Sequence, residues 1–189
     1  MIKKQWLILT LILTMLALAA CTTPASACPS ATADLKLLMN AEDGYCLLYL
    51  ADYSTDLPNY IVINPVSGPG DVLGDAWASI DMEAATGRTA AQVAKAQIAA
   101  VDPGFNIERS DVVVDGEQAV VIDGLPGPDS WRKIFIVSNE RLYTLTFLPW
   151  APNTNNPAQP TPLEGLYTTI MDTLHFLPPT QALPTAAQQ

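Results

Sequence analysis

Alternation of apolar and polar residues predicts several β-strands in the middle of the chain. In Ala76–Ala84, alanine, isoleucine and methionine alternate with tryptophan, serine and acidic residues, as a strand with one buried face requires. Asp115-Gly116 and residues 138–141 predict two hairpins. Because short hairpins join antiparallel strands, the sheet is predicted to be antiparallel. The other predicted strands are Tyr45–Leu50 and residues 60–66, 112–114, 119–122, 131–137 and 142–148.

Two segments predict amphipathic helices that cover this sheet. Residues 89–101 are rich in alanine, and Asp102-Pro103-Gly104 ends the pattern. Residues 161–174 begin with Thr161, Pro162 and Glu164 in the order of a capping box, and apolar residues then recur at three- and four-residue spacing. The predicted fold class is therefore α+β, an antiparallel β-sheet covered by helices.

The first 20 residues carry the pattern of an export signal. Lys3 and Lys4 precede an apolar stretch, which ends in Leu18-Ala19-Ala20-Cys21. The apolar run over residues 6–20 is shorter than the roughly 20 residues that a membrane-spanning helix needs, which favours cleavage over an uncleaved anchor.

This ending resembles the lipobox of bacterial lipoproteins. The resemblance implies cleavage before Cys21, acylation of its sulfur, and a protein anchored by lipid at the cell membrane and facing outside the cytoplasm. Two or three acyl chains give stable anchoring where one chain gives reversible binding.

Composition divides the chain into four regions. Residues 1–20 are the predicted signal peptide, and residues 21–34 are the lipidated cysteine with a flexible linker of threonine, proline, alanine and serine. Residues 35–177 are one folded domain. Residues 178–189 repeat the proline-rich chemistry and are predicted to be a disordered tail.

The net charge excludes one class of partner. The chain carries nine basic and 19 acidic residues, a formal charge of −10. The predicted signal holds two of the basic residues and none of the acidic ones, so the mature chain carries −12. Such a charge opposes binding to nucleic acid or to anionic headgroups. The partners expected are the membrane, through the lipid on Cys21, and a protein or small ligand that the sequence does not identify.

Cys28 and Cys46 admit two interpretations. Outside the cytoplasm they can oxidise to a disulfide, which would close a loop of 18 residues and contribute on the order of 3 kcal/mol in the chain-entropy model. Alternatively, Cys46 is a buried strand residue and Cys28 is a linker thiol without a role. Spacing along the chain does not supply the distance between the two Cα atoms and leaves both open.

Catalytic patterns are weak. His175 is the only histidine, which excludes zinc sites built on two or more histidines and leaves a single candidate base. We expect it to be structural or simply exposed. Gly68, Gly70 and Gly74 lack the spacing of a dinucleotide fingerprint or a P-loop. We therefore predict a protein that is not an enzyme and holds no cofactor or metal.

Acidic residues support two alternatives. A small extracytoplasmic hydrolase would use carboxylates such as Asp81 and Glu83, and a lipoprotein that binds calcium or a small ligand would use these with Asp71 and Asp75. The spacing of an EF-hand is missing, and solvated charges on a loop and an exposed strand face explain the same residues.

Tryptophans offer a candidate binding surface. Trp77 lies on the polar side of its predicted strand, and Trp150 begins a loop rich in proline and asparagine. With Trp131 also considered, we predict a partner patch of Trp77 and Trp150. The alternative is that these rings cover sheet edges beneath loops.

The order of these elements resembles the PsbP-like family over most of residues 35–177. The segments that carry the resemblance are Gly44-Tyr45-Cys46-Leu47-Leu48-Tyr49, Ala76–Ala84, the Asp115-Gly116 hairpin, Leu142-Tyr143-Thr144-Leu145-Thr146-Phe147 and Leu174-His175-Phe176. It implies an α/β/α sandwich and a role without catalysis, since members include photosystem accessory subunits, nuclear-transport factors and bacterial lipoproteins. It supplies no catalytic residue.

Overall fold

The computed structural model describes residues 28–55, 59–63, 76–127, 130–152 and 159–178. These residues contain nine strands and two helices. In chain order they are β1 (Leu35–Asn40), β2 (Tyr45–Leu50), β3 (Tyr60–Ile63), β4 (Ala76–Ala84), α1 (Ala90–Ala99), β5 (Glu108–Val114), β6 (Glu117–Leu125), β7 (Trp131–Ser138), β8 (Arg141–Leu148), α2 (Pro162–Thr173) and β9 (His175–Phe176).

The strands form two antiparallel sheets. Six strands lie in the order β3-β4-β8-β7-β6-β5, and three lie in the order β1-β2-β9. The predicted hairpin at Asp115-Gly116 joins β5 and β6, and both residues adopt positive φ (49° and 82°) as a tight turn requires. The second predicted hairpin joins β7 and β8, with positive φ at Asn139 and Glu140.

The six-stranded sheet is covered on both faces. α2 and the three-stranded sheet cover one face, and α1 covers the other over β6 and β7. Successive residues of β6 alternate between the two cores, with Val121 toward α2 and Val120 toward α1. The prediction of an α+β fold with an antiparallel sheet covered by helices is confirmed.

Capping interactions fix the start of each helix. The Thr161 hydroxyl accepts a hydrogen bond from the Glu164 amide (3.3 Å), and the Glu164 carboxylate accepts one from the Thr161 amide (2.7 Å), as predicted. Thr89 and Gln92 form the same reciprocal pair at the start of α1.

Several elements differ from the predictions. β5 begins at Glu108, four residues earlier than predicted, and β1 and β9 were not predicted. β3 ends at Ile63, and residues 64–66 of the predicted strand lie outside the described residues. The layer on the α2 side consequently contains a three-stranded sheet as well as a helix. The sequence of β1 lacks the alternation of apolar and polar residues because apolar residues occupy both of its faces.

Two tyrosines are buried where the sheets meet. Tyr45 of β2 and Tyr143 of β8 are almost fully buried, with their rings edge to face at 6.3 Å. The Tyr143 hydroxyl donates to the Asp43 carbonyl oxygen at 2.8 Å. Burial raises the pKa of Tyr45 from 10.0 to about 12, against a hydrogen bond with Asn40 that lowers it.

We expect Tyr45→Phe to remove part of the alkaline instability of the protein. Because the folded pKa of Tyr45 lies above its unfolded value, its contribution to stability is complete below pH 10 and is lost as the pH rises through 12. The stability difference between wild type and variant should shrink by roughly 2 kcal/mol between pH 9 and 12. Urea titrations across this range measure it, and a constant difference would contradict the assignment.

Candidate functional site

A disulfide joins the start of the described chain to the small sheet. Cys28 is bonded to Cys46 with the Cα atoms 5.8 Å apart. Cys46 is completely buried in β2, where it pairs with Met39 of β1 and His175 of β9. The Cys28 sulfur also lies 4.0 Å from the Met39 sulfur.

A turn at Thr32 sends the chain back along β1. The Thr32 amide donates to the Leu35 carbonyl oxygen (2.9 Å), and the Thr32 hydroxyl accepts from the Leu35 amide (3.2 Å). Residues 28–31 therefore run from the Met39 end of β1 to its Leu35 end. Among the described residues, contacts with the domain thus begin at Cys28, inside the region predicted as linker. Cys21 lies outside the described residues.

Strands β1 and β2 of the small sheet have an apolar side away from the core, on which Cys46 and Leu48 are nevertheless buried. Leu38 and Leu47 point into the core, so the alternate residues of β1 and β2 point outward. We call this the outer face; its six side chains carry no charge, and they are Leu35, Leu37, Met39, Cys46, Leu48 and Leu50. Met39 is 58% exposed and Leu37 is 37% exposed.

Asp115 fastens β9 to the β5–β6 hairpin. One carboxylate oxygen lies 2.8 Å from His175 Nδ1, and the other accepts a hydrogen bond from the Phe176 amide at 2.8 Å. Asp115 therefore holds both the ring of His175 and the strand that carries it.

The two carboxylates considered for hydrolysis, Asp81 and Glu83, are exposed on the same face of β4. Asp81 accepts a hydrogen bond from the Ser79 hydroxyl (3.3 Å), and Glu83 forms an ion pair with Arg88 (3.0 Å). Within the described ranges, no group of three or more histidine, cysteine, aspartate or glutamate side chains could hold a metal ion. Two of the acids considered for calcium and the glycine cluster lie outside those ranges, namely Asp71, Asp75, Gly68, Gly70 and Gly74.

The predicted patch of Trp77 and Trp150 is wrong. Trp150 is only 8% exposed, because the Arg132 guanidinium lies 3.7 Å from its ring centroid and Tyr167 of α2 lies at 5.3 Å. Two hydrogen bonds to Asp123 (2.8 and 2.6 Å) hold that guanidinium in place. Trp77 lies on the opposite face of the sheet, since its neighbour Ala78 belongs to the core that contains Trp150.

The structure instead groups Trp77 with Trp131. Trp77 pairs with Leu148 of β8, and Trp131 precedes Arg132, the partner of Phe147, so it falls beside Leu148. We call Trp77, Leu148 and Trp131 the aromatic row; all three are partly exposed. The Tyr60 ring lies 5.0 Å from Trp77.

Polar groups border the aromatic row on the same face. Ser79, Thr146 and Lys133 form the next row across β4, β8 and β7, and the Lys133 ammonium lies 5.1 Å from the Trp131 ring centroid. α1 packs over β6 and β7, to one side of β4 and β8. The Ser79 and Thr146 hydroxyls are buried, so the groups open to a polar partner are the partly exposed rings and the Lys133 cation.

The β7–β8 hairpin, which was predicted, already sets Trp131 beside Leu148. The pairing of β4 with β8 joins Trp77 to Leu148, 71 positions away, and no local pattern indicates it. The placement of Trp131 beside Leu148 could therefore be predicted from the sequence, but the placement of Trp77 beside Leu148 could not.

Comparison with known proteins shows only distant similarity. No family model and no curated protein matches the chain. The solved structure of cyanobacterial PsbP (CyanoP) from Synechocystis sp. PCC 6803 is similar with a TM-score of 0.46 and 15% identity, covering 81% of this chain and 98% of that one. A protein of unknown function from Pseudomonas aeruginosa, PA94, a putative regulator, is similar with a TM-score of 0.36 and 23% identity, covering 60% and 81%. Similarity at this level carries no argument about function.

No helix in the described ranges is both long and apolar enough to cross a membrane.

Proposed function

We propose that this protein is a lipid-anchored, extracytoplasmic module without catalytic activity, which binds a partner through the aromatic row. The observation that carries the proposal is the Cys28–Cys46 disulfide. Structural disulfides persist in oxidising compartments and are rare in the cytoplasm. An exported location accounts for the bond.

The N-terminal sequence supports the same location independently. The two lysines, the apolar run and Leu18-Ala19-Ala20-Cys21 are the features of a lipoprotein signal. The disulfide lies seven residues after Cys21, so the domain would begin close to the lipid. An acyl anchor needs no spanning helix in the domain itself.

The surface chemistry supports binding rather than turnover. Glu83 is engaged by Arg88 and His175 by Asp115. Trp77 and Trp131 are large rings that contribute strongly to contact energy when a partner covers them. The acidic net charge favours a partner with basic or neutral groups.

Metabolic labelling with palmitate tests the anchor. Wild type should incorporate label and sediment with membranes, and Cys21→Ala should lose the label and the lipid-dependent sedimentation. Cys28→Ser, which keeps Cys21, is the matched control and should remain labelled. Label persisting in Cys21→Ala would refute the anchor.

The same cells test the partner surface. A photoreactive residue placed at Leu148 should give a discrete crosslinked product, and one placed at Phe105, which is exposed outside the aromatic row, should not. Trp77→Ser should weaken the product at position 148. Equal products at both positions, or none at position 148, would contradict the aromatic row as the partner surface.

A further inference from the structure

We infer that the Cys28–Cys46 disulfide orients the domain on the lipid surface, with Met39 and Leu37 in contact with the membrane interface and the aromatic row directed away from it. This inference rests on the lipid anchor proposed above. It adds a second membrane contact, made by the folded domain itself.

The disulfide sets how far the domain can move from the lipid. From Cys21 to Cys28 the chain advances seven residues, which reach about 25 Å at full extension. Without the bond, the first attachment to the domain is the turn that begins at Thr32. From Cys21 to Thr32 the chain advances 11 residues, about one and a half times that reach.

The disulfide also sets where the chain leaves the domain. Residues 28–31 are held along β1, so the exit lies beside Met39 instead of Leu35. These two positions are four residues apart on one strand, or about 13 Å. The bond therefore brings the exit to the more exposed end of the outer face.

The exit lies beside exposed apolar side chains. The large hydrophobic residues exposed in the described ranges are Leu37, Met39, Phe105 and Val113. Two of them, Leu37 and Met39, lie on the outer face, on the strand β1, whose outward side chains carry no charge. A chain with this acidic charge gains nothing from anionic headgroups, so the contact must be apolar. Two side chains are too few to hold a domain alone, but the anchor raises their effective concentration at the lipid.

The aromatic row lies at the end of the six-stranded sheet that is farther from the disulfide. Gly44, next to the β1–β2 turn, accepts a hydrogen bond from the Leu177 amide (2.9 Å), and the Leu177 carbonyl accepts one from Asn139 (3.2 Å) in the β7–β8 hairpin. The disulfide end of the small sheet is thus next to the start of β8. The row crosses β8 at Leu148, seven residues from Arg141 and about 23 Å away. At this distance from the disulfide end, the aromatic row stays open to a partner while the disulfide end faces lipid.

Photocrosslinking in vesicles tests this orientation. The full lipidated protein, carrying a photoreactive residue at Met39 or at Phe105, is reconstituted in phosphatidylcholine vesicles, and phospholipid adducts are counted by mass spectrometry. We expect several-fold more adducts at position 39 than at position 105. The same spectra report the acyl groups on Cys21.

Each outcome separates the two proposals. Acylated protein with equal adducts at the two positions overturns the orientation and leaves the anchor standing. Protein without acyl groups on Cys21 overturns the anchor and this inference with it. In the Cys28→Ser/Cys46→Ser variant, checked for folding by near-UV circular dichroism, adducts at position 39 should fall toward those at position 105. If they do not fall, the disulfide does not orient the domain.

Discussion

Replacing both Cys28 and Cys46 by serine is expected to lower the free energy of unfolding by about 3 kcal/mol. The bond closes a loop of 18 residues, and its loss restores chain entropy to the unfolded state. For a chain of this size, each kcal/mol corresponds to roughly 2–4 °C in Tm. The midpoint should therefore fall by roughly 6–12 °C, measured by circular dichroism on the Cys21→Ala form, which removes the lipid from the comparison.

Reduction provides the control for this variant. Adding reductant to the protein with both cysteines should lower its Tm by a similar amount, because reduction opens the same loop of 18 residues. Reductant should leave the Tm of the double serine variant unchanged. Equal melting curves with and without reductant for the cysteine form would show that the bond does not contribute.

Sequence reasoning succeeded where the determining interaction is local. The hairpin at Asp115-Gly116 depends on two residues that tolerate positive φ. The start of α2 depends on Thr161 and Glu164, three residues apart. Both features were predicted because each is contained in a few consecutive residues.

The orientation of Trp150 and the formation of the disulfide depend on contacts between residues that are distant in the sequence. The orientation of Trp150 is decided by Arg132 on β7, which is itself held by Asp123 on β6. Neither partner is apparent from the proline-rich segment that follows Trp150. For the same reason, the choice between a disulfide and two thiols needed the Cα distance, which only the packing of residues 28–34 against β1 supplies.

Phe147→Ala is expected to be the most damaging of the substitutions considered, at about 4 kcal/mol. Phe147 is fully buried in β8, a central strand, between Ala78 of β4 and Arg132 of β7. Its ring meets Tyr167 at 5.4 Å and Trp150 at 6.2 Å, both edge to face. Alanine would remove these contacts and leave a cavity that the rigid strands on both sides cannot close.

The next residue is the matched control. Leu148 has its side chain on the opposite face, within the aromatic row, and is only partly buried. Leu148→Ala should cost about 1 kcal/mol, because part of the side chain is already in water. Urea titrations with equal m-values for both variants give the comparison. Equal losses would mean that the aromatic row is core, whereas a large difference shows that it remains a partly exposed face in the free protein.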